Sequence, residues 1–156
     1  MGQSQNLHLL NQLNLVKNRA VADELLNIVV KVTNAVKSDK IRRVALSTTL
    51  AIQKDRIFVK GESDSGGKIG KYSKKYGEYK KSIGKNPGYV NFRNTDQMMN
   101  DYGVIVNGDQ YAFGFQNPEN GAKAEFLQER YGTVMHVNDK ELDIFSEVLV
   151  NEINRS

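Results

Sequence analysis

The dipeptide Asn107-Gly108 stands between two runs of alternating apolar residues, Tyr102-Gly-Val-Ile-Val106 and Asp109-Gln-Tyr-Ala-Phe-Gly-Phe115. Asn-Gly is the preferred two-residue hairpin turn, because both central residues of a type I′ turn need positive φ. Such a turn pairs Val106 with Asp109, Val104 with Tyr111 and Tyr102 with Phe113. Side chains alternate along a strand, so Tyr102, Val104, Tyr111, Phe113 and Phe115 share one face, and that face is expected to be buried. The chain therefore holds an antiparallel strand pair, and other elements must cover it.

Helical patterns flank the hairpin on both sides. Val21, Leu25, Ile28, Val32 and Val36 recur at spacings of three or four and make one apolar stripe over residues 19–36. Ser38 is placed as an N-cap with Asp39 in the first turn, and Ile41, Val44, Thr48, Ile52 and Phe58 carry a second helix to Lys60, where Gly61 ends it. Beyond the hairpin, Asn117-Pro118-Glu119 combines a cap, a proline at the first helical position and an early acid, and Gly132 stops that helix. Asn138 and Glu141 form a capping-box pair for a last helix with the stripe Leu142, Phe145, Leu149 and Ile153. Tyr89–Arg93 and Thr133–Val137 read as short strands. The order predicts an α+β fold: N-terminal helices, a small antiparallel sheet with the Asn107-Gly108 hairpin, two C-terminal helices and a long Gly/Lys/Tyr loop. Residues 1–17, rich in Asn, Gln and Leu, are read as an N-terminal arm. Residues 18–156 are read as a single domain with an extended loop at 61–88.

That loop carries the chain's charge asymmetry. Lys68 to Lys85 contains seven lysines and one acid, Glu78, for a net +6 against +4 for all 156 residues, so the remainder is net −2. Tyr72, Tyr76 and Tyr79 are interleaved with Lys68, Lys71, Lys74, Lys75, Lys80, Lys81 and Lys85. A short helix over 71–81 would put the three tyrosines on one face. They would then be a packing stripe with the lysines outermost, a subunit interface, or a DNA-facing surface with lysine on phosphates and tyrosine on bases. The segment contains no arginine, the usual bidentate base reader, so sequence-specific recognition is disfavoured.

Catalytic and cofactor signatures are missing. There is no cysteine, which excludes disulfides, thiol catalysis and thiolate metal sites and is compatible with a reducing cytoplasm. The phosphate-loop pattern that starts at Gly61 finds Gly66 but then Gly67 where lysine is required. His8 and His136 are the only histidines and lie in dissimilar contexts. Glu62 and Asp64 lack calcium-loop spacing, and Asp96, Asp101 and Asp109 show no pairing. No apolar run approaches the twenty residues of a membrane span, and the N-terminus lacks the cationic and apolar regions of a signal peptide. The expectation is no enzyme, no cofactor, no metal and no membrane.

Several segments together resemble a phage virion assembly family, the tail-completion or head–tail joining (neck) proteins called phage virion morphogenesis proteins. They are Arg56-Ile57-Phe58 before Gly61, then Gly67-Lys68-Ile69-Gly70-Lys71-Tyr72-Ser73 with Tyr76 and Tyr79, and Val90-Asn91-Phe92-Arg93-Asn94-Thr95-Asp96-Gln97-Met98-Met99-Asn100. In the last of these, Asp96 replaces the family's usual turn glycine. Phe113-Gly114-Phe115 with the helix up to Gly132, and the opening of the last helix at Val137 to Glu141, complete the likeness over residues 40–155. The resemblance implies a virion protein without catalytic residues. It would form a homo-oligomeric ring at the neck or tail top, beside neck, portal or tail proteins, with non-specific contact to packaged DNA. The residues expected at an interface or facing DNA are Lys68, Lys71, Tyr72, Lys74, Lys75, Tyr76, Tyr79, Lys80, Lys81 and Lys85. The alternative is a sequence-independent nucleic-acid-binding module that uses the same Lys68–Lys85 segment.

Overall fold

A computed structural model describes residues 24–27, 30, 34 and 37–155. The arm over 1–17 and most of the helix over 19–36 lie outside the described residues; those of its positions that are described are helical, and Leu25, Leu26 and Val30 are exposed. The ordered elements are α1 (Asp39–Lys54), a π-helical turn (Asp55–Lys60), α2 (Lys74–Ser82), α3 (Gln97–Asp101), β1 (Tyr102–Asn107), β2 (Gln110–Phe115), α4 (Pro118–Tyr131) and α5 (Asp139–Arg155). The fold is α+β, with N-terminal helices, a two-stranded antiparallel sheet and C-terminal helices.

The predicted caps form. Ser38 accepts from the Ile41 amide, Asn117 accepts from the Glu119 amide, and Gly61 closes the first helix at φ 63°. The Asn138 amide donates to Glu141 Oε2 at 3.0 Å, and the Glu141 amide donates to Asn138 Oδ1 at 2.9 Å, which is a capping box. The buried line of α1 is Ile41, Ala45, Thr49 and Gln53, so Val44, Thr48 and Ile52 flank the core-facing line and do not form it. Thr49 can sit there because its hydroxyl donates to the Ala45 carbonyl at 2.9 Å. In α5, Leu142 is likewise off the packed stripe and exposed, while Glu141 and Ile153 are buried. At Asp55–Lys60 the widened turn lets three consecutive residues, Arg56, Ile57 and Phe58, all face inward.

Helices α1 and α5 pack antiparallel: Ile41 meets Ile153 and Leu149 at one end, and Arg56 meets Glu141 at the other. The main core gathers Ile57, Phe58, Ile69, Val90, Met98, Tyr102, Ala124 and Val134. Phe58 and Tyr102 meet edge to face with ring centres 6.0 Å apart.

The hairpin forms one step further along than its turn signal predicts. Asn107 pairs with Gln110, Val106 with Tyr111, Val104 with Phe113 and Tyr102 with Phe115. The central residues are therefore Gly108 and Asp109, with Gly108 at φ 59°. This is the arrangement of a type II′ turn, in which only the first central residue needs positive φ. Each residue's partner is displaced by two, an even number, so the same five side chains remain on one face. That face is buried only at its base, by Tyr102, and Val106 near the tip is 47% exposed. A two-stranded ribbon along α1 cannot be covered throughout its length. Its outer end is fastened by the Tyr111 hydroxyl, which donates to Asp39 at 2.8 Å, and by Arg42 over the Tyr111 ring.

Neither of the other two predicted strands forms. At 89–93 the one backbone-to-backbone bond runs from the Val90 amide to Gly70 O at 2.9 Å, while the Asn91 amide donates to the Tyr72 hydroxyl at 3.2 Å. Phe92 then turns to φ 53°, which ends any extended run. The 133–137 segment has its backbone groups bound by side chains. Arg56 donates to Val134 O and His136 O, Gln53 donates to Met135 O, and Gln128 Oε1 accepts from the Val134 and Met135 amides. With those groups satisfied there is no ladder left to make.

Candidate functional site

The Lys68–Lys85 segment leaves the body as a turn and returns as a helix. Glu62 bridges to Lys68 across the Ser63–Gly67 turn. Ser73 then caps α2 by accepting from the Tyr76 amide at 3.3 Å. Within this frame the seven candidate lysines separate into three groups.

Lys71, Lys74, Lys75 and Lys81 are exposed. Lys68 and Lys85 are tied down: Lys68 donates to Lys60 O and stands over the Tyr89 ring at 4.5 Å, and Lys85 pairs with Asp96 at 2.8 Å. Lys80 departs furthest from expectation, since it is 1% exposed. Its ammonium donates to the Arg93 carbonyl and lies 5.3 Å from the Tyr72 ring centre and 6.0 Å from that of Tyr76. Burial, and then the nearby Lys85 charge, lower its pKa from the ordinary lysine value. Lys80 is thus a structural pin between α2 and the 90–94 segment.

The tyrosines form a ladder, with Tyr72–Tyr76 ring centres 5.1 Å apart and Tyr76–Tyr79 5.7 Å apart. Only its inner end is packed. Tyr72 is half-buried and exchanges hydrogen bonds with Asn91, whereas Tyr76 and Tyr79 are 39% and 46% exposed. The reading of tyrosines packed inward with lysines outermost therefore holds in part: Tyr76 and Tyr79 are exposed and Lys80 is buried, while Tyr72 is packed and Lys68, Lys71, Lys74, Lys75 and Lys81 are exposed.

Adjacent lysines should accordingly behave differently. Lys80→Ala is expected to cost about 1–3 kcal/mol, because the Arg93 carbonyl and two ring faces lose their partner. Lys81→Ala should stay within about 0.5 kcal/mol of the parent. Paired urea titrations with matched m-values check this; equal midpoints would contradict the burial of Lys80.

Beside the ladder lies a groove that the sequence did not reveal, with a volume of about 740 Å³. It runs between α2, the 90–94 segment and α4. Its walls are mainly aromatic: Tyr72, Tyr76, Phe92, Phe126 and Tyr131, with Met98 at the base. Phe126 is 63% exposed, unusual for a phenylalanine with a core so close. Phe92 lines the groove from a positive-φ backbone, a conformation that costs a bulky residue of order 1–3 kcal/mol. Asn91 on one side holds it: its side chain donates to Phe58 O at 3.1 Å and accepts from the Arg93 amide at 3.3 Å. On the other side Asp96 also adopts positive φ, 62°. Aspartate tolerates this region better than most residues. Its carboxylate is gripped by Arg93 and Lys85, which hold its pKa far below the usual carboxylate range.

Among the described residues one ion pair is buried, and it holds the frame together. Arg56 and Glu141 meet at 2.6 Å with both side chains nearly inaccessible, and Tyr102 and Gln53 share a hydrogen bond of 3.0 Å beside them. Burial pushes the Tyr102 phenol well above its ordinary value. His136 lies 3.8 Å from Asp64 at the surface. Among the described residues no group of three or more His, Asp or Glu side chains could hold a metal ion, and no helix is long and apolar enough to cross a membrane. No protein-family model, curated protein or solved structure matches the chain.

Proposed function

We propose that this chain is a structural assembly subunit of a tailed-phage virion, one of several copies in a ring at the head–tail neck or tail top. The observation that carries the reading is the exposed aromatic surface around the groove. Tyr76, Tyr79 and Phe126 stand open to solvent on a body whose buried Arg56–Glu141 and Tyr102–Gln53 pairs are committed to holding segments together. Large apolar groups concentrated on one surface are what an obligate subunit contact buries, and aromatic side chains supply the most contact area for the least lost freedom. The resemblance over residues 40–155 supplies the setting.

A second reading is favoured by one specific feature, the stacked and exposed Tyr76–Tyr79 pair with Lys74, Lys75 and Lys81 on the same short helix. That combination suits sequence-independent contact with single-stranded nucleic acid. Sedimentation velocity of DNA-free protein across a hundredfold concentration range separates the two. Concentration-dependent rings that survive Lys74→Glu, Lys75→Glu and Lys81→Glu together support the assembly role. A monomer that binds DNA in a salt-sensitive manner lost in that triple variant would replace it. Absence of the chain from purified particles would remove the virion setting.

A further inference from the structure

We infer that the aromatic groove of one copy receives the outer face of α5 from the next copy. The inference rests on the ring reading above and names the contact that would build the ring. Helix α5 turns Glu141, Leu149 and Ile153 toward α1 and leaves a second stripe uncovered. Leu142 and Val150 on that stripe are 50% and 53% exposed, with Ser146 between them, so the three lie in line at spacings of four. Asp139, Asp143 and Glu147 border the stripe, and all three are exposed. Lys140 is the only cation among these residues. The face is a narrow apolar seam with one acidic edge.

The groove has the complementary character. Arg93, Lys123 and Arg130 line it against a single acid, Glu119, and Lys75 stands next to Tyr76 at its mouth. Arg93 is already engaged by Asp96, which leaves Lys123 and Arg130, both exposed on α4, to meet incoming carboxylates. Between them Phe126 and Tyr131 offer an apolar floor, and about 740 Å³ is room for more than one side chain of a docking helix. Apolar seam on aromatic floor and the acidic edge on the basic side of the groove would fix both the register and the direction of the helix. The two patches share no residue, so the contact can repeat head to tail, and such repetition yields a closed ring or a filament.

The chain has no cysteine, so single thiols can be placed at will. The full-length Phe126→Cys and Val150→Cys variants are mixed under mild oxidation, and the mixed disulfide is timed by intact mass. The control pairs Phe126→Cys with Val106→Cys on the exposed hairpin. The expected result is a mixed disulfide forming at least tenfold faster than the control. It should slow when Glu147→Lys is added to the Val150→Cys chain and recover when Lys123→Glu is added to the other. A rate no faster than the control overturns the contact, as does a charge swap that fails to restore it. An oligonucleotide that shields the Phe126→Cys thiol from alkylation where a second copy does not would overturn the choice of occupant. Sedimentation of the unmodified chain reads the ring separately. Cross-linking without rings removes the ring reading and keeps the contact, and rings without cross-linking do the reverse.

Discussion

Replacing Arg56 with alanine is expected to destabilise the fold by about 3–5 kcal/mol, the cost of leaving one member of a buried ion pair alone. The loss would be unusually broad for one side chain. Arg56 donates to Glu141 at 2.6 Å and to the carbonyls of Glu62, Val134 and His136 at 2.9–3.0 Å. Without it a carboxylate and three carbonyls lose their donor, and water cannot reach a site where both side chains are nearly inaccessible. Domains of this size have only about 5–15 kcal/mol in hand. The thermal midpoint should therefore fall by roughly 6–20 °C, at about 2–4 °C per kcal/mol. The double variant Arg56→Met/Glu141→Leu should recover only the part due to the lone carboxylate, because the three carbonyls still lack their donor and the Asn138 amide loses its acceptor. A parent-like melting point for Arg56→Ala would refute the placement of this side chain.

Gly61→Ala should cost about 2–5 kcal/mol, although it adds only a methyl group. Two effects combine. The residue sits at φ 63°, where a Cβ is penalised by about 1–2 kcal/mol. The methyl would also stand 2.4 Å from both the Val90 carbonyl oxygen and a Tyr89 ring carbon, closer than real contacts allow, and overpacking of this kind costs about 1–3 kcal/mol. Gly66→Ala separates the terms, because Gly66 has φ 84° with nothing within 4 Å of the added carbon. It should lose only the backbone contribution. Urea midpoints read both variants, and equal midpoints would mean that the close approach of Val90 to Gly61 does not exist.

The elements that could be read from the sequence are those whose signals are local. Ser38, Asn117-Pro118, the Asn138–Glu141 box, Gly61 and Gly132 all work within a turn of where they stand, and each bounds its helix as expected. Hairpin existence and face were local too, but its turn moved by one residue because Gly108 alone can supply the positive φ of a different turn type. What failed depends on distant partners. The 133–137 segment looks like a strand by composition, yet Arg56, Gln53 and Gln128 bind its backbone groups from other elements. Lys80 looks like any other lysine of its run, and its burial comes from the Arg93 carbonyl 13 positions away in the chain. The groove was invisible for the same reason. Its walls are assembled from α2, α4 and the turn that Phe92 makes, and no window of sequence contains them together. The Lys–Tyr segment marked its neighbourhood without revealing its shape.

Glu141 also joins two events that most domains keep apart. One carboxylate oxygen receives the Asn138 amide and starts the last helix, while the other receives Arg56 from the turn that follows α1, 85 positions earlier. Local nucleation of α5 and long-range closure of the domain thus draw on the same side chain. An α5 begun alone would hold its cap with an unpartnered charge facing the core, and a core closed first would hold the Arg56 charge on carbonyls alone, with no carboxylate to balance it. The two steps gain most when they occur together, so unfolding should be all-or-none, with no stage at which α5 has frayed from an otherwise intact body. Amide exchange at the start of α5 should then report global opening, at the same rate as the amides around Arg56.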